Sequence, residues 1–363
     1  MKNVLLIGPP PSGKGGVTIW MKIVMDYFNC NKSKDIDITH LAIERSASLT
    51  HLLPTHKRLY YSIKDYTKGM FTLIKTLKKK KYDKIHIVSS LGAGILRDWL
   101  YVCIAKCFKA KPIVHYHCGT LPKILVSKSY SNRLLVSTLK KSYKSIVLDD
   151  ESFNAIKGIG LDNVVKIGNS FNSEIENLDK TDIKRKENII LFVGHNVREK
   201  GIFELIEACS TLENITLDIY GPQDEIIHNE LNAWIKKHGF KGTINFKGLQ
   251  PQVEIYKAMR EATLFVLPTY TEGFPYVIVE AMANGCPIIT TPVGAIEEML
   301  TFDNELTGYL VKPKEMAELR KQIEYCLENN DEANVRAEKG KQKAYKEYST
   351  KAIMNKFIKI WNE

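Results

Sequence analysis

Short, apolar-rich runs alternate along this chain with longer stretches whose apolar residues recur at helical spacing. The runs at residues 3–8, 37–42, 84–89, 112–116 and 145–148 read as buried strands. The same alternation restarts at 188–194, 216–220, 243–246, 264–268, 287–291 and 308–311. Strand followed by helix, repeated, predicts βαβ units and an α/β chain with parallel sheets. Between the two series, residues 166–187 are rich in Asn, Asp, Glu and Lys and show no period. We therefore expect a first domain at 1–170, a linker at 171–187 and a second domain at 188–345. The closing segment, 346–363, carries Ile353, Phe357, Ile360 and Trp361 at helical spacing.

Length and composition fit two globular domains, each with its own core. After Met1-Lys2-Asn3 only Val4 to Ile7 are apolar, too few for a secretory signal. No run approaches the roughly 18 apolar residues of a membrane span. Seven cysteines (Cys30, Cys103, Cys107, Cys118, Cys209, Cys286 and Cys326) lack Cys-x-x-Cys pairs and matched His spacing. They read as reduced thiols of a cytoplasmic protein rather than as bridges or metal ligands.

Charge is divided unevenly. Residues 1–170 hold 28 of the 52 Lys+Arg and 11 of the 41 Asp+Glu, a net of +17. Residues 171–363 then carry −6 of the total +11. Lysines 78–81 end an amphipathic pattern (Met70, Phe71, Ile74, Leu77), and a second basic amphipathic stretch runs over 121–143. This asymmetry suits a peripheral position on an anionic membrane surface, or simply a solvated lysine face. No helix-turn-helix, RNA-binding or zinc-finger pattern is present, so nucleic acid is not an expected partner.

The chemistry concentrates in Glu272-Gly273-Phe274-Pro275-Tyr276-Val277-Ile278-Val279-Glu280. Strand 264–268 precedes it, and a helix over 277–284, ended by Gly285, follows Glu272. Glu272 is thus placed at the carboxyl end of a strand, where ligands bind in open α/β sheets, with Glu280 on the ensuing helix. The free N–H groups of such a helix start suit a phosphate, while carboxylates suit sugar hydroxyls. This Glu-x7-Glu segment resembles the signature of family 4 glycosyltransferases, retaining enzymes of GT-B architecture. The resemblance implies two Rossmann-like, doubly wound parallel-sheet domains facing a central cleft, with the final helix crossing back to the first domain. It implies that Glu272 orients the donor sugar, that backbone N–H groups of Gly273 and Phe274 lie near sugar and diphosphate, and that Glu280 holds the ribose.

Three further loops match less closely. Gly194-His195-Asn196-Val197-Arg198-Glu199-Lys200-Gly201 resembles the family's Gly-Arg-Leu-x3-Lys-Gly, whose arginine and lysine neutralise the diphosphate. Lys200 matches; His195 replaces the arginine, and either Arg198 or a charged His195 compensates. In Ile113-Val114-His115-Tyr116-His117 the two histidines share a face, and His117 matches the family's histidine beside the donor sugar. Gly15-Gly16 matches the first-domain loop that lies against the donor diphosphate.

The implied reaction is sugar transfer, with retention and without a metal or other cofactor, from a UDP- or GDP-sugar to a glycan or lipid-linked acceptor. Uridine is favoured by family frequency, and the setting is bacterial surface-polysaccharide assembly. Two other readings stay open. Residues 8–15 nearly spell a nucleotide-kinase P-loop, although Gly15 and Gly16 stand where a metal-binding hydroxyl belongs and Pro11 lacks an N–H. Alternatively, His195 in place of arginine suits a protein that binds nucleotide sugar or polyanion without catalysis.

Overall fold

The computed structural model describes residues 1–363 except 14, 32–34, 44–54, 179–182 and 223. The chain divides into two compact units, residues 1–168 with 353–363, and residues 169–352.

The first unit is built on six parallel strands: β1 (Lys2–Gly8), β2 (Ile36–Ala42), β3 (Lys84–Ser89), β4 (Lys111–Tyr116), β5 (Lys144–Val147) and β6 (Val164–Lys166). Their order is β2-β1-β3-β4-β5-β6. Helices flank the sheet, so Val4 to Ile7 and Ile85 and Ile87 are fully buried, and residues 4–7 of β1 accordingly form a continuous apolar run. The last helix, Thr350–Asn362, sends Phe357 and Trp361 into this unit, where both are fully buried.

The second unit repeats the plan with β7 (Ile189–Val193), β8 (Thr216–Tyr220), β9 (Thr243–Gly248), β10 (Leu264–Leu267), β11 (Ile288–Thr290), a hairpin β12 (Thr301–Phe302) and β13 (Glu305–Leu306), and β14 (Tyr309–Leu310). The main sheet runs β14-β11-β10-β7-β8-β9, all parallel. In each unit the chain winds outward from its first strand and then returns to that strand's other side. The resulting switch points, β1/β3 and β7/β10, open a crevice at the strands' carboxyl ends. This is the GT-B fold, an α/β architecture of two doubly wound parallel sheets.

Three local features go beyond the sequence reading. Within the expected linker, Glu174–Leu178 is a helix with Ile175 fully buried. Arg260 donates to the carbonyls of Ile175 and Leu178, each at 3.3 Å, so this part packs on the second unit. A five-residue helix has too few apolar positions to show a period. The 121–143 stretch is two helices, Leu121–Val126 and Tyr130–Lys141, because Ser129 caps the second by accepting from the Asn132 N–H. The β12–β13 hairpin went unpredicted, although Asp303 and Asn304 both take positive φ as a two-residue turn demands.

Candidate functional site

In the second unit the loops after β7 and β10 lie side by side because their strands are neighbours at the switch point. The β7 loop closes with a 3₁₀ turn, Arg198–Lys200, and Gly201 at φ +72°. A Cβ on Gly201 would stand 2.1 Å from the Pro268 carbonyl oxygen, so only glycine allows the two loops to approach this closely. The approach is fastened by hydrogen bonds: Tyr270 N–H and the Thr269 hydroxyl both donate to the Glu199 carbonyl, at 2.8 and 3.1 Å.

That approach brings Lys200 Nζ to 2.5 Å from Glu272 Oε1, with the two side chains 26% and 12% exposed. The two strongest motifs of the sequence thus share one ion pair. Arg198 points elsewhere: its guanidinium donates to Glu230 at 3.1 Å and lies 4.1 Å from the Phe203 ring centroid. His195 is exposed, and Gly194 donates its N–H to Tyr220.

After Glu272, the helix Tyr276–Ala283 begins at Pro275 with no side-chain cap. Among the described residues the N–H groups of Gly273 and Phe274 carry no hydrogen bond, so uncapped donors and the dipole's positive end lie directly after Glu272. Gly294, at φ +59°, lies against the Glu272 and Gly273 carbonyls and admits no side chain there. Ala295 N–H fixes the loop by donating to Gly273.

Glu280 is on the second turn of that helix and nearly buried. The Tyr256 hydroxyl donates to Oε1 at 3.1 Å. Burial pushes the Glu280 carboxyl up to about 7 despite that bond. Tyr256 escaped the sequence reading because nothing at its position on helix Gln252–Glu261 marks it apart from an ordinary core aromatic.

In the first unit, His117 follows β4 and is partly exposed; its Nε2 is 3.2 Å from His115 Nδ1. Both rings lie on one face of the sheet with centroids 4.0 Å apart. His115 is fully buried against Trp20, His86 and Phe357. Gly15, at φ +105°, and Gly16 open the helix Gly16–Cys30, which again has no side-chain cap. Lys14, central to the P-loop alternative, lies outside the described residues.

Comparison with known proteins bears on the fold and on the second unit. Residues 173–343 match the protein family described as glycosyl transferases group 1. A putative teichuronic acid biosynthesis glycosyltransferase, TuaC of Bacillus subtilis, is 33% identical over 140 residues, 38% of this chain and 32% of that protein. The capsular polysaccharide biosynthesis glycosyltransferase CapM of Staphylococcus aureus is 24% identical over 244 residues, 66% of this chain and 60% of CapM. The chain therefore spans about a third and three-fifths of these two relatives. HepE from Anabaena, solved in complex with UDP, superposes with a TM-score of 0.72 at 16% identity, covering 99% of each chain. The likeness to glycosyl transferases group 1 is confined to residues 173–343, while the likeness in fold to HepE extends over 99% of the chain.

Proposed function

We propose that this chain is a retaining, metal-independent family 4 glycosyltransferase that moves a sugar from a nucleotide-diphosphate sugar to a hydroxyl of a glycan or lipid-linked acceptor. The observation that carries the reading is the Lys200–Glu272 pair beside the uncapped helix at the β7/β10 switch point. Lys200, with the Gly273 and Phe274 N–H groups, supplies fixed positive potential where a leaving diphosphate gains charge. Such preorganised electrostatics is the main term in catalysis of this kind. When the diphosphate engages Lys200, Glu272 is released to orient the sugar's hydroxyls. Glu280 accepts from the ribose. The relatives in capsule and teichuronic acid assembly support a role in surface-polysaccharide synthesis. The likeness to HepE, solved with UDP, supports a UDP-sugar as donor.

Among the described residues no helix is long and apolar enough to cross a membrane. The basic first unit nonetheless exposes Ile63 and Phe71 on helix Thr55–Lys79, among lysines, which suits a peripheral position on an anionic bilayer.

The test is a melting-temperature screen against UDP-, GDP- and ADP-sugars and ATP, since a ligand of the native state alone raises Tm. A shift with a nucleotide sugar in the absence of magnesium is expected, followed by transfer to a glycan acceptor. A shift with magnesium-ATP only would replace this reading with the kinase alternative. Tight binding without transfer would leave a non-catalytic binder.

A further inference from the structure

The first unit buries a set of rings whose hydrogen-bonding options are limited enough to assign protons. Trp20, 5.3 Å from His86 and 4.9 Å from His115 between centroids, packs with Phe357 and Trp361 around both histidines. Trp361 Nε1 is 3.1 Å from His86 Nδ1. An indole nitrogen only donates, so His86 Nδ1 is the acceptor and the His86 proton is on Nε2. Burial, with no carboxylate among the described residues bonded to any of these rings, keeps them neutral: it lowers His86 and His117 to about 3, and His115 also falls.

Three buried nitrogens here lack a hydrogen-bond partner among the described residues: Trp20 Nε1, His86 Nε2 and His115 Nε2. The first two are N–H donors by necessity. A proton on His115 Nε2 would make a third buried donor in a pocket with nothing to accept it. An unpartnered buried N–H is the rarer and costlier fault; an unpartnered lone pair is tolerated better. His115 therefore carries its proton on Nδ1, the nitrogen 3.2 Å from His117 Nε2, and donates it there.

We infer that His115, itself set by the Trp361–His86 bond and the Trp20 indole, is a positioning residue that holds His117 with its proton on Nδ1. His117 then presents a donor to a ligand oxygen, a sugar hydroxyl or a phosphate, and refuses a ligand donor at that nitrogen. The ligand half of this statement rests on the transferase reading; the proton positions do not.

Long-range ¹H–¹⁵N correlation spectra of the full chain, ¹⁵N-labelled at histidine and free of ligand, read each tautomer directly. His115 and His117 are expected in the Nδ1–H form and His86 in the Nε2–H form. An Nε2–H form, or an averaged pair of tautomers, at His117 overturns the inference. His115→Asn keeps an amide donor near the Nδ1 position, while His115→Leu removes it. Loss of the single tautomer at His117, with about a tenfold fall in kcat/KM, is expected for the leucine variant and substantial recovery for asparagine. An identical His117 spectrum in both variants also overturns it. Should the leucine variant fail to fold, the spectrum of the unaltered chain still decides. A chain that transfers no sugar fails the functional reading while the spectra still test the tautomers.

Discussion

Lys200 Nζ and Glu272 Oε1 stand 2.5 Å apart although 72 residues separate them in the chain. The pair exists because β7 and β10 are adjacent and Gly201 lets their loops touch. Lys200→Ala should leave the fold intact and reduce sugar transfer on the order of 10²–10³, the usual cost of one preorganised electrostatic contact. Steady-state kinetics with the donor found in the melting screen measures it. Unchanged turnover would remove Lys200 from the site.

Glu280 links stability to pH. Its folded carboxyl titrates near 7 against an ordinary 4.5, so below 4.5 both states are protonated and the residue costs nothing. Between pH 4.5 and 7 the unfolded carboxyl ionises while the buried one stays protonated, so the folded state loses about 3 kcal/mol, a loss complete above pH 7. Glu280→Gln should therefore melt higher than the unaltered protein at pH 8, and the advantage should fade as pH falls toward 4.5. The same variant should bind nucleotide sugar more weakly, since a ribose hydroxyl donates best to an ionised carboxylate. A variant that melts no higher at pH 8 would show that the carboxyl is not destabilised by burial.

Gly201 has a backbone demand distinct from its neighbours. Alanine there meets both the left-handed conformation and the Pro268 carbonyl, so Gly201→Ala should lose at least about 2 kcal/mol in denaturant unfolding. A loss below about 0.5 kcal/mol would mean that the two loops separate without penalty.

The membrane proposal is read with vesicles. Phe71, 74% exposed on helix Thr55–Lys79, is the largest apolar side chain offered among those lysines. The unaltered protein should sediment with anionic vesicles at low salt and be released at high salt. Phe71→Ser should weaken sedimentation severalfold. No binding to anionic vesicles at low salt would end the proposal.

Strand positions were legible because the central parallel strands are buried apolar runs, and the observed Leu264–Leu267 falls within the run at 264–268. The site loops were legible for a related reason. A ligand loop after a strand must use residue types the core cannot, so Gly-Phe-Pro between two glutamates and Lys-Gly after Gly-His stand out as sequence. What sequence could not supply is pairing across distance. Nothing local says that Lys200 meets Glu272, that Arg198 turns to Glu230 and Phe203, or that Tyr256 bonds Glu280. Nor does the His-x-His spacing reveal that Trp361, 275 residues from His86, donates to it. Strand order decides those neighbours, and strand order depends on which helix faces cover which sheet. The sequence alone determined the repeating strand–helix grammar and the residue chemistry placed at strand ends, because both are set by nearest neighbours in the chain. Only the tertiary structure decided which charges are paired, which carboxyl is buried and which ring nitrogen donates, because each depends on low-dielectric surroundings assembled from remote segments.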